Sequence, residues 1–75
     1  MSKVKELTNL LREPANFAAL QEGRYSFRTA KAVQAALDNA KSMVTAMDFL
    51  DFCAQMARKG TIEELCSFVA FWLGP

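Results

Sequence analysis

Apolar residues recur three and four positions apart along this chain, and no stretch alternates apolar with polar residues as a strand would, so the pattern predicts helices throughout. The sharpest boundary is Gly60-Thr61-Ile62-Glu63-Glu64. Thr61 is a good N-cap, Glu64 stands three residues on as its capping-box partner, and both acids suit the positive end of a helix. A helix is predicted over about 62–73, with Gly74 and Pro75 as its stop. Its inward arc is Ile62, Leu65, Val69, Trp72 and Leu73, while Phe71 projects on the side of Glu64 and Ser67.

Gly60 also closes the preceding helix, predicted over about 46–59. Thr45 caps it, Asp48 takes the capping-box position, Val44 is placed to staple against Phe49, and Arg58 and Lys59 occupy the last turn, where cations are favoured. Ala46, Phe49, Leu50, Cys53, Met56 and Ala57 share one face; Asp48, Asp51, Gln55 and Arg58 share the other.

Upstream, an alanine-rich helix is predicted over about 27–41, capped by Ser26, with Ala30, Val33, Ala36, Leu37 and Ala40 inward. No glycine or proline separates it from the Thr45 helix, so one continuous helix is the competing reading. At about 100° per residue, however, Asp48, Asp51, Gln55 and Arg58 would then lie over the same side as Ala30, Val33 and Leu37. One side would be core in its first half and solvent in its second. A turn between Lys41 and Thr45 removes the conflict and is the expectation.

In the first third, Ser2 caps a helix over about 3–12 that uses Val4, Leu7 and Leu11, and Pro14 opens a second over about 14–22 with Phe17 and Leu20 inward and Gly23 as its stop. The fold class is therefore all-α: a compact bundle of four or five short helices with no strands, forming a single domain over 1–75. No repeat, low-complexity tract or linker interrupts it.

Composition changes this picture in one respect. A hydrophobic fraction of 52% with eight aromatics is high for 75 residues, whose fold has little interior to hide them, so an apolar surface shared with a second chain is expected. The two cysteines, Cys53 and Cys66, sit among apolar neighbours as free core thiols do. The opening residues MSKVKELTNLL lack the apolar run and cleavage site of a secretory signal, which points to a reducing, cytoplasmic setting. The apolar stretch from Leu65 to Leu73 is less than half the roughly 20 residues a bilayer needs, so no membrane association is expected.

Most site chemistries find no residues to carry them. Without histidine there is no common general base, no imidazole ligand and no Ser-His or Cys-His nucleophile pair, so an enzyme is not expected. Two cysteines thirteen apart make neither a zinc site nor a redox pair, and Asp48 with Asp51 is too small a ligand set for a hard cation; no metal or cofactor is expected. Glycine occurs only at 23, 60 and 74, each at a helix end, so no phosphate-binding loop exists. A helix-turn-helix reading of 46–73 fails because the second helix opens with Glu63 and Glu64 and carries no cation to meet phosphates.

Two surface features remain. Residues 1–37 carry six basic and three acidic groups and residues 38–75 three and five, and Arg24, Arg28 and Lys31 lie in an acid-free stretch that interleaves cations with Tyr25 and Phe27. This segment is the candidate site for an anionic partner, nucleic acid or an acidic protein, although a solvated helix end explains it as well. The other feature is the aromatic end of the last helix, Phe68, Phe71 and Trp72, of which Phe71 falls off the inward arc. Met43, Met47 and Met56 are expected to fill gaps in the core rather than form an adaptable groove. The functional expectation is a small non-enzymatic adaptor, inhibitor or regulator that binds another protein, working as a homodimer through its last helix. The alternative is a small nucleic-acid-binding regulator using Arg24, Arg28 and Lys31.

Overall fold

A helix leaves its first amides without partners, and four of the five helices of this protein start at a residue whose side-chain oxygen takes one up. In the computed structural model, which describes residues 2–74, α1 (Lys3–Leu11) begins at Ser2, α3 (Phe27–Asn39) at Ser26, α4 (Ala46–Lys59) at Thr45 and α5 (Ile62–Leu73) at Thr61. The exception is α2 (Pro14–Gln21), which has no side-chain cap; Pro14 in its first turn, having no amide, leaves one fewer donor without a partner. At α5 the capping box is reciprocal: the Glu64 amide donates to Thr61 Oγ1 at 3.2 Å, and the Thr61 amide donates to Glu64 Oε1 at 3.0 Å. Gly60 is extended, with no left-handed turn to make. A Cβ there would stand 3.2 Å from Glu64 Oε1, so the glycine leaves room for the carboxylate that closes the box.

Two helices end in the same way on different residues. After α2 the Gly23 amide donates to Leu20 O and the Arg24 amide to Ala19 O; after α3 the Lys41 amide donates to Asp38 O and the Ser42 amide to Leu37 O. Both are Schellman closures, which need a left-handed residue just past the cap. Gly23 supplies it at φ 74° and Lys41 at φ 55°. The closure is why α3 stops at Asn39, two residues earlier than its sequence pattern, and why Ala40, expected inward, is exposed as the cap. The chain then reaches α4 through a non-helical turn, so residues 27–59 are two helices. A lysine in the left-handed region costs about 1 kcal/mol that glycine avoids. Lys41→Gly is therefore expected to raise the unfolding free energy by about 0.5–1 kcal/mol in urea melts; no gain would mean that Lys41 is not left-handed in solution.

The helices pack around Leu7 and Leu11 of α1, Leu20 of α2, Val33 and Leu37 of α3, Leu50 and Cys53 of α4, and Leu65 and Val69 of α5, all buried. α1 lies against α3 and α5, and α4 against α2, α3 and α5. The radius of gyration, 10.8 Å, is close to the ~11 Å expected of a compact chain this long. Polar ties add direction to this packing. Gln21 Nε2 donates to Ala57 O and Arg58 Nε donates back to Gln21 O, both at 2.9 Å, joining the last turns of α2 and α4. Arg58 is exposed, as its place on the polar face of α4 implies, and still ties two helices together. Cys53 and Cys66 are both buried and unpaired with each other. No helix is long and apolar enough to cross a membrane among the described residues.

Candidate protein-docking face

The α4–α5 pair turns back on itself at Gly60 and Thr61, and its aromatic residues meet in antiparallel order: Phe52 with Phe68, Phe49 with Trp72. Phe52 and Phe68 stack with centroids 4.8 Å apart and planes within 10°. Trp72 reaches both Phe68 and Phe49 at 6.3 Å in tilted geometry. Only Phe49 of the four is buried. The others stand along the edge between the helices and, with Phe49, Val44 and Asp48, line a largely apolar groove of about 200 Å³.

Phe71 stands outside these contacts. It is 85% exposed, one helical turn beyond Phe68, so the outward placement read from the helix period is realised. Trp72 is a correction. The helical period puts it on the inward arc, but it is 50% exposed, and Cys66 takes a buried position there instead. An indole at the last turn of a five-helix bundle has no sixth helix to cover its outer face. Phe52 is the residue the sequence reading missed altogether. It belongs to neither the apolar nor the polar face of α4, and an aromatic at that boundary is the signal that would have found it.

The methionines also depart from expectation. Met43 is 97% exposed in the α3–α4 connection, and Met47 is exposed in the first turn of α4, its sulfur accepting the Tyr25 hydroxyl; only Met56 packs against the core. Neither turn position faces the interior, so neither can fill a core gap.

The basic segment does not assemble into one cationic surface. Arg24 pairs with Glu22 at 2.8 Å, Lys31 lies 5.5 Å over the Phe27 ring, and Arg28 lines a shallow cleft with Glu6 and Glu13 of the α1 region. The stretch is free of acids only along the chain. In space, Glu22 from just outside the window and two glutamates from the first thirteen residues stand among these cations.

The two thiols are the groups with displaced acidities. Burial pushes Cys53 up to about 12, with Cys66 acting in the same direction. Burial also raises Cys66, Arg12 opposing and Glu63 reinforcing the effect. Both stay protonated near neutral pH, without the thiolate that nucleophilic or redox chemistry requires. Among the described residues no group of three or more acids and cysteines is gathered closely enough to hold a metal ion. No family model, curated protein or solved structure matches the chain.

Proposed function

We propose that this protein is a small non-enzymatic adaptor, inhibitor or regulator that binds another protein through the α4–α5 aromatic edge and works as a homodimer, in a reducing cytoplasmic setting that suits its two free thiols. The observation that carries this reading is the exposed aromatic set of α4 and α5, Phe52, Phe68 and Trp72 stacked or tilted against one another and Phe71 one turn beyond Phe68, three of the four at least 47% exposed. With about 150–250 Å² per aromatic side chain, those three leave on the order of 300–400 Å² of aromatic surface open to water. The largest apolar patch on a folded monomer is often functional, and aromatics are the side chains that dominate binding energy. By comparison Arg24, Arg28 and Lys31 are spread over three different environments, two of them shared with acids.

Salt separates the two readings. Association through an aromatic edge should change little between 50 and 200 mM salt, whereas three contacts to the phosphates of a single strand would lose roughly twentyfold in affinity over that range by counterion release. The measurement is sedimentation of the protein alone and with a single-stranded oligonucleotide at both salt concentrations. Oligonucleotide binding that falls steeply with salt, in the absence of any self-association, would replace protein binding by the nucleic-acid reading.

A further inference from the structure

The outer face of α4 carries a pattern that complements itself. Asp48, Phe52, Gln55 and Lys59 are all exposed and follow one another at spacings of four, three and four, which keeps them within about 60° of arc on the helix. That spacing follows a single face of the helix. The order matters more than the spacing. A two-fold axis midway between Phe52 and Gln55 brings Asp48 of one copy opposite Lys59 of another, twice, and lays each Phe52 ring against the apolar stem of the other copy's Gln55. Among the described residues neither Asp48 nor Lys59 has an ion-pair partner within its own chain.

From this register we infer that the homodimer forms by antiparallel contact of α4 with α4 of a second copy. This inference rests on the proposed function and names the occupant of the exposed edge: a second copy of this chain. Charge complementarity favours a copy over a different protein, because the stripe is its own complement only under a two-fold axis, the symmetry that isologous dimers have. The groove is continuous with the stripe. Phe52 belongs to both, so a contact centred on the stripe also reaches Phe68 and Trp72. The helix dipole independently favours an acid near the start of α4 and a base near its end. It does not require them to share a stripe with Phe52, and it makes no demand on association, so association is what the test must read.

Asp48→Lys leaves two cations on the stripe and Lys59→Asp leaves two anions. Each variant alone opposes like charges twice in the dimer, and its Kd should rise roughly tenfold or more over the wild type. Mixed one to one, the two variants match cation to anion at both contacts, and dimers should return as heterodimers in sedimentation equilibrium. Gln55→Glu, at mid-helix where the dipole hardly acts, tests the axis without altering either helix end; it too should weaken the dimer. Circular dichroism of each variant reports that the fold is kept. A wild-type dimer that survives both single reversals and Gln55→Glu overturns the α4 register while leaving a homodimer through another part of the edge. A wild type that stays monomeric up to millimolar concentration overturns the homodimer itself.

Discussion

Val69→Ser should unfold the domain, whereas Phe71→Ser, two residues along the same helix, should leave its melting temperature within a few degrees of wild type. Val69 is fully buried among the core leucines. Truncating it opens a cavity and buries a hydroxyl with no designed partner, a cost of about 2–4 kcal/mol. In a domain of this size each kcal/mol moves the midpoint by about 4–8 °C, so the loss is on the order of 10–30 °C. Phe71 is 85% exposed, so its removal takes little apolar surface out of the fold and should cost less than about 0.5 kcal/mol. Its effect belongs to association, which Phe71→Ser should weaken while the variant remains helical. Thermal melts and sedimentation of both proteins check this together. Equal loss of stability in the two variants would mean that Phe71 is covered within the monomer, and the docking face would lose its most prominent member.

What the sequence makes legible here is whatever depends on neighbours along the chain. Thr61 with Glu64, Thr45 with Asp48, and Ser26 ahead of an alanine-rich run are local hydrogen-bond patterns, and each marks a helix start that the structure realises. The break before α4 was legible too, because faces that point the wrong way in one long helix need only the helical period to be detected. Its details were not. A Schellman closure is expected at glycine, and at Lys41 the packing of α4 against α3 accepts a left-handed lysine that no propensity scale would place there. The site was half legible for a related reason. Phe71 stood out because it lies far from the apolar arc, whereas Trp72 and Phe52 lie at its margins. A marginal residue is buried or exposed according to whether another helix happens to cover it, and that is a property of the bundle. The basic segment shows the same limit from the other side: Glu6 and Glu13 approach Arg28 only once α1 packs on α3.

Alkali should destabilise this protein in a way that traces to Cys53. Its thiol is held in the core with its pKa pushed up from 9.0 to about 12, by burial first and by Cys66 second. Below pH 9 the folded and unfolded chains both keep this proton, so the group leaves stability independent of pH. Between pH 9 and about 12 the unfolded chain releases the proton and the folded chain keeps it. The folded state then binds more protons than the unfolded one, and by linkage its stability must fall as pH rises. One group contributes about 1.4 kcal/mol per pH unit in this window, on the order of 4 kcal/mol over its whole width. Cys66 is raised as well and steepens the decline. Urea melts between pH 8 and pH 11 on the wild type and on Cys53→Ala provide the comparison. The variant starts from a lower stability because it opens a small cavity, yet its loss per pH unit above 9 should be shallower by about 1.4 kcal/mol. Parallel declines in the two proteins would show that water reaches Cys53, and with it that the centre of the α4–α5 packing is open.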